Sequence, residues 1–313
     1  MKDKRLLAAA LLLPVTVLFF CAAAGAALPM AQAAADGPMV QAAEGETCVG
    51  VPIEVRLHAA ASDGGAVLYQ LTELPRLGTA QIEGDVLTYT PGEKRGTDRF
   101  SYTAVDAQGR TAEPASVVIR VDKNRAGLTY ADMMGDPAHY AALCLAERGV
   151  MTGECIGGVY FFRPAQTVTR SEFTAMAAAA AGLPRGETAQ TDFADSSGLS
   201  PWARPFVSAA AASGLITGYQ TAGSLPEFRG QQPITLAEAG SIVRGLIAGA
   251  GEGAQAVLAE EHAADEDWAQ TAVSTLSRLE LLPADAASLD ADAPVTRRTA
   301  CELLCRAMQR MED

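Results

Sequence analysis

The sequence predicts a multidomain chain, with an all-β sandwich followed by an all-α region built from three repeats. Three observations carry this. Residues 48–124 alternate apolar and polar side chains with period two. Beyond residue 125 the periodicity becomes helical. The helical part then repeats itself, with equivalent threonines at Thr169, Thr235 and Thr296, spacings of 66 (169 to 235) and 61 (235 to 296) residues.

The N-terminus opens Met1-Lys2-Asp3-Lys4-Arg5, runs apolar from Leu6 to about Leu28, and exits through Ala31-Gln32-Ala33-Ala34-Ala35. A basic start, an apolar middle and an A-x-A exit are the layout of a secretory signal peptide over 1–35. The apolar run is also long enough for an uncleaved anchor, but Pro14 and the alanine-rich exit favour cleavage, which leaves no stable membrane span. Phe20 before Cys21 stands where a lipoprotein signal needs a small residue. Residues 36–47, rich in Ala, Gly, Glu and Gln, read as a linker.

In the sandwich, Val51 to Leu57 alternates, Ala80 to Glu83 and Val86 to Thr90 flank a two-residue Gly84-Asp85 turn, and Phe100 and Tyr102 alternate with Ser101 and Thr103. Val117, Ile119 and Val121 form the last inward row, after a turn at Asp106-Ala107-Gln108-Gly109. The stretch Leu87-Thr88-Tyr89-Thr90-Pro91 with Gly96-Thr97-Asp98-Arg99-Phe100-Ser101-Tyr102 resembles bacterial immunoglobulin- or cadherin-like repeats of surface proteins. Some of those bind calcium between successive domains. With one copy here such a site lacks half its wall, so Asp63, Asp98 and Asp106 read as turn and edge residues.

The repeats carry their own punctuation. Asp136-Pro137 and Ser200-Pro201 open first helices that close at Gly149 and Gly214. Thr169 with Glu172 and Thr235 with Glu238 are capping boxes opening second helices, the first of which stops at Gly182. In the third copy Thr299 replaces the capping glutamate, and the first helix ends near Leu282-Pro283 without glycine.

Tyr130-Ala131-Asp132, Gly149-Val150-Met151-Thr152-Gly153, Phe162-Arg163-Pro164 and Thr169-Arg170-Ser171-Glu172, with their second copies Phe193-Ala194-Asp195, Gly214-Leu215-Ile216-Thr217-Gly218 and Thr235-Leu236-Ala237-Glu238, resemble S-layer homology (SLH) repeats. The resemblance implies an immunoglobulin-like sandwich followed by a three-repeat SLH pseudo-trimer, with repeats at 125–184, 185–250 and, degenerate, 251–313. It also implies non-covalent anchoring to secondary cell-wall polysaccharide, often pyruvylated, in the peptidoglycan-associated envelope. Carried onto this sequence, the glycan-binding positions are Arg170 and Arg297, with Leu236 at the second, Asp132 and Asp195, the aromatics Tyr140, Trp202 and Trp268, and Gly153 and Gly218. An arginine fork suits a pyruvyl carboxylate, and glycine admits close backbone approach. The aromatics equally fit a helix core, the aspartates a turn, and Arg170 opens a helix where the macrodipole disfavours a cation.

The chain has 313 residues and a net charge of −13, with lysine only at 2, 4, 94 and 123, which excludes a nucleic-acid partner. Recognition of an acidic polymer must then rest on a few arginines at short range, because distant repulsion is screened beyond about 8 Å. Past the leader, Cys48, Cys144, Cys155, Cys301 and Cys305 remain, an odd number that is no disulfide framework, with a Cys144–Cys155 bridge left open. No zinc-type cysteine pair, phosphate loop or nucleophile elbow occurs, and His58, His139 and His262 read as surface residues. No cofactor and no metal are expected. The expectation is therefore a non-enzymatic, secreted protein of the cell wall, S-layer or cell surface. An adhesin and a carboxylate-dependent wall hydrolase are the competing readings.

Overall fold

The computed structural model describes residues 37–61, 64–184, 191–220, 225–249, 268–282 and 290–312. The expected signal peptide, Asp63 and His262 lie outside them.

Two sheets face each other in the N-terminal part. The larger pairs β2 (Ala43–Cys48), β9 (Ala115–Asp122), β8 (Gly96–Asp106) and β5 (Val67–Glu73) in that order; the smaller pairs β3 (Ile53–Arg56), β7 (Val86–Pro91) and β6 (Gly78–Glu83). A short β1 (Met39–Val40) pairs with β4 (Ala59–Ala60). Val117, Ile119 and Val121 are fully buried, and Tyr89 stacks on Phe100 with centroids 5.9 Å apart. Aromatic and β-branched residues on facing sheets make this core.

Residues 36–47, expected as a linker, instead supply β2, which runs parallel to β9 from Ala43 opposite Val117 to Cys48 opposite Asp122. The strand was hidden because its inward positions are small. A Cβ on Gly45 would stand 3.0 Å from Ile53 Cδ1 and 3.1 Å from Ile119 Cδ1, so no apolar side chain fits there. Asp98, expected at a turn or edge, is 1% exposed. It ties the 74–77 loop to β8 by accepting from the amides of Arg76 and Leu77 and from Tyr89 OH.

The helices follow one another in the chain as three successive pairs, α1 (His139–Glu147) then α2 (Arg170–Ala180), α3 (Arg204–Ala212) then α4 (Leu236–Gly249), and α5 (Trp268–Arg278) then α6 (Arg297–Glu312), and the closest packing runs between pairs: α2 on α3, α4 on α5 and α6 on α1. α1 and α3 each begin a few residues after the expected caps, Asp136 and Ser200. Asp136 Oδ1 accepts from Ala138 N ahead of α1, and α1 starts at His139. The expected all-α character is corrected by a hairpin, β10 (Glu154–Ile156) with β11 (Val159–Phe161). Its turn is Gly157-Gly158, with φ of 59° and 84°, as a two-residue primed turn requires.

Both capping boxes form. Thr169 N donates to Glu172 at 2.8 Å, and Thr235 N donates to Glu238 at 3.1 Å, with the threonine oxygens accepting in return. Thr296 caps Thr299 N alone. The next two amides of each second helix reach across to another pair: Arg170 N to Gln232 O and Ser171 N to Gly230 O, Leu236 N to Ala293 O and Ala237 N to Ala291 O, and Arg297 N to Gln166 O and Arg298 N to Pro164 O. Three further bonds close a ring, from Val168 N to Val295 O, Val295 N to Ile234 O, and Ile234 N to Val168 O. Donors left free by the helix starts are thus used to join the pairs.

All three first helices close alike. Gly149, Gly214 and Glu280 each take positive φ, and the residue after each donates five back, Val150 to Leu145, Leu215 to Ala210 and Leu281 to Leu276. Glu280, with φ 57°, pays the Cβ penalty that the glycines avoid. Glu280→Gly is expected to stabilise the fold by about 1 kcal/mol in chemical denaturation.

His139, expected at the surface, is 1% exposed, and its Nε2 accepts from Tyr130 N at 3.1 Å. Burial lowers its pKa, opposed by the Met133 carbonyl and the charges of Asp136 and Asp132. Because the folded pKa lies below the unfolded value, the unfolded chain binds the extra proton, and stability falls as pH drops below about 6.5. His139→Gln, which keeps an acceptor for Tyr130, should flatten the decline of melting temperature between about pH 6.5 and 5.

The sandwich and first helix pair share a core: Cys48 and Val51 pack among the helical residues. Glu54 N donates to Gly135 O at 2.7 Å. Tyr140 OH donates to Asp122 Oδ2 at 2.7 Å and accepts from Arg120 Nη2 at 2.8 Å.

Candidate glycan groove

One cleft of about 320 Å³ lies between α2 and α3. Its floor is Met176 and Ala179 of α2, one wall is the Gly149–Thr152 turn, and the other is Trp202 and Phe206. Arg297, from the start of α6, closes its end beside Glu172.

Arg297 is set by its neighbours. Its Nε donates to Phe162 O at 2.7 Å, its Nη2 to Thr152 O at 2.8 Å, and its guanidinium stacks over the Phe162 ring at 4.8 Å. These contacts pre-orient the fork. Burial lowers its pKa, opposed by Glu172, and it remains a cation. Among the described residues it joins no ion pair. Trp202 is 51% exposed at the rim, a flat apolar face beside a charge. Glu172 has two tasks, capping α2 through Oε2 and lining the groove.

Arg170, at the equivalent position of the first pair, is placed differently. Its side chain is 10% exposed, its Nη1 lies 3.4 Å from Glu238 Oε2, and it stacks on Tyr219 and Phe228 at 5.0 and 5.4 Å. Its Nε is buried without a partner. Burial lowers its pKa, while the Glu238 charge opposes this. Here α5 lies against α4, close enough that a Cβ on Gly240 would stand 3.0 Å from Leu276 Cδ1. Trp268, at the start of α5, is 55% exposed. Tyr140, the third aromatic, is 9% exposed and held by the sandwich.

The other sequence-derived positions work inside their own units. Asp132 accepts from Phe162 N and Arg163 N, both at 2.7 Å; Asp195 accepts from Phe228 N and Arg229 N, both at 2.8 Å. Each aspartate clamps a residue in the left-handed region, Arg163 at φ 57° and Arg229 at φ 59°. A Cβ on Gly153 would meet Phe161 O at 2.3 Å and Tyr130 Cε1 at 2.5 Å, and one on Gly218 would meet Phe193 Cε1 at 2.6 Å. Packing within each unit therefore demands both glycines. The structure brings Arg297 and Trp202 together and leaves the remaining positions elsewhere. Gln166 and Phe206 line the same groove and were missed, since neither belongs to a periodic or capping pattern.

Cys144 and Cys155 are both free thiols, so the open bridge is not made. Among the described residues no His, Cys, Asp and Glu group could hold a metal, and no helix is long and apolar enough to cross a membrane.

The bacterial Ig domain family matches residues 29–120, starting within the segment expected as signal peptide, and the S-layer homology domain family matches residues 192–239, in the second helix pair. The first and third pairs lie outside the matched residues. No curated protein matches. Among solved structures the chain is similar to Drosophila N-cadherin (12% identity, 27% of this chain and 24% of that one, TM-score 0.24). It is similar, too, to a SusE-like surface located polysaccharide binding protein from the Bacteroides thetaiotaomicron heparin utilisation locus (18%, 30% and 16%, TM-score 0.23). A titin domain matches at 14% identity over 28% of this chain and 97% of that one, TM-score 0.19. The chain thus spans about a quarter or less of the first two, and none of these likenesses bears on function. An S-layer homology domain indicates a cell-surface or cell-wall location and implies binding to cell-wall polysaccharide, and both matched modules are non-catalytic. The chain carries a bacterial immunoglobulin domain and an S-layer homology domain.

Proposed function

We propose that this is a non-enzymatic surface protein held non-covalently to secondary cell-wall polysaccharide through the α2–α3 groove, with the sandwich displayed outward. The observation that supports this best is Arg297: a half-buried, pre-oriented guanidinium outside any ion pair among the described residues, in a 320 Å³ cleft beside an exposed tryptophan. That combination suits a sugar bearing a carboxylate, such as a pyruvylated residue. The ring stacks on the C–H face of the sugar, and the fork takes the carboxylate with charge-assisted bonds.

The three helix pairs are read as three SLH repeats, at 125–184, 185–250 and 251–313, in a pseudo-threefold arrangement. The closed ring of backbone bonds through Val168, Ile234 and Val295 and the shared helix endings support it. On this reading the anchor is monovalent. Glu238 occupies the arginine of the second groove, and the sandwich engages the aromatic of the third.

The test is co-sedimentation of the full chain with cell-wall sacculi before and after removal of the secondary polymer. Retention that disappears with the polymer is expected, and titration of released polymer repeats should give one site per chain. Failure to sediment with intact sacculi would end the anchoring reading, and three equivalent sites would end the monovalent one.

A further inference from the structure

We propose that Cys144 and Cys305 are a disulfide-forming pair that closes the joint between the first and last helix pairs. The two residues lie on α1 and α6, which pack together, both line a cleft of about 400 Å³, and each thiol shifts the pKa of the other. Cys144 is only partly buried there, so a small oxidant can reach it from the cleft. The competing thiols are placed differently. Cys301, one turn before Cys305, is fully buried and donates to Arg298 O. Cys155 stands exposed on the β10–β11 hairpin. Cys48 lies across the seam from Cys144, and burial pushes its pKa up to about 12, which keeps it a thiol.

The location gives the bond a purpose. The first and second helix pairs, and the second and third, are consecutive in the chain. The joint between third and first is not bridged by consecutive residues; it is held by apolar packing, by the bonds of the Arg297 and Val168 segments, and by the Arg148–Glu312 and Arg298–Asp136 ion pairs, the latter at 3.0 Å. A bridge there would join residues 161 apart in the chain (144 to 305), the long-loop case in which a cross-link most restricts the unfolded chain. It would also fix α6, whose first residue is Arg297 of the groove.

The oxidant is a disulfide, either of a small molecule or of an exported thiol–disulfide oxidoreductase. Cys144 loses its proton and attacks one sulfur of that disulfide, releasing one thiolate and forming a mixed disulfide. Cys305 loses its proton and attacks Cys144 Sγ, releasing the second thiolate. One disulfide is reduced to two thiols as the two cysteines are oxidised. Cys144 is the half-buried thiol and Cys305 the buried one, which makes Cys144 the first to meet the oxidant.

The experiment is peptide mapping of the full chain after incubation with oxidised glutathione, with free thiols alkylated, beside a dithiothreitol-treated control. A Cys144–Cys305 peptide pair is expected as the main product, with a melting temperature about 5 °C above the reduced protein. Cys305→Ala should abolish that redox difference and leave Cys144 open to alkylation. The map of the unsubstituted chain decides the matter even if that variant folds poorly. Cys144 linked to Cys48 or Cys155 would overturn the proposal, as would both thiols remaining alkylatable once Cys155 has fully reacted.

Discussion

Arg297→Ala should lower affinity for the wall polymer by at least about 30-fold, the loss expected when a pre-oriented fork no longer meets a carboxylate. Arg297→Lys should recover only part, because an ammonium offers no paired donors. Arg170→Ala should act on another property. It leaves the Glu238 carboxylate, with a side chain 10% exposed, without its cation, and a broken pair at that depth costs about 3 kcal/mol of folding stability. The double change Arg170→Met with Glu238→Gln removes both charges and should restore most of it. The contrast is read by measuring polymer affinity and urea unfolding on the same four variants. If Arg170→Ala weakened polymer binding at unchanged stability, the ligand would sit in the second groove, and the assignment of Arg297 would be wrong.

That contrast also marks how far the sequence could be read. Start and stop signals were legible because they are local: Thr169 and Glu172, Thr235 and Glu238, and Gly149 and Gly214 each satisfy a backbone group within a few residues. The Gly84-Asp85 turn was legible for the same reason. β2 was not, since a parallel partner 74 residues away (43 to 117) and a glycine at an inward position leave no alternation to count. β5 escaped because Leu68, 64% exposed, breaks the pattern that Tyr69 and Leu71 would otherwise show. Gly157-Gly158 carried a hairpin signal that the surrounding helical pattern obscured.

The groove was legible in residue type and not in place. Arg170 and Arg297 share a motif, and nothing local distinguishes them. What separates them is the neighbour each meets across the joint: a glutamate at 3.4 Å for Arg170, carbonyl oxygens and an open cleft for Arg297. Likewise Tyr140, Trp202 and Trp268 occupy equivalent positions, yet Tyr140 alone meets Asp122 and Arg120 of the sandwich. Such differences arise from tertiary contacts between segments distant in the chain, which no local pattern contains.

The sandwich has its own critical group, and Asp98→Ala should destabilise it by about 4 kcal/mol in urea unfolding. The carboxylate is 1% exposed; Oδ1 accepts from Arg76 N at 2.9 Å, and Oδ2 accepts from Leu77 N at 2.7 Å and from Tyr89 OH at 3.0 Å. Removing it leaves two amides and a hydroxyl with no acceptor at a site that water does not reach, each costing about 1–3 kcal/mol. Asp98→Asn keeps one oxygen and turns an NH₂ toward donors, so about half the loss is expected. Tyr89→Phe removes a single bond and should cost about 1 kcal/mol. The same geometry speaks against a calcium role for this aspartate, because three donors already converge on its oxygens and a cation would have to displace them. Added calcium should therefore leave the melting temperature of the sandwich unchanged. A calcium-dependent rise that Asp98→Asn abolishes would show that the carboxylate binds the ion and that the loop contacts are secondary.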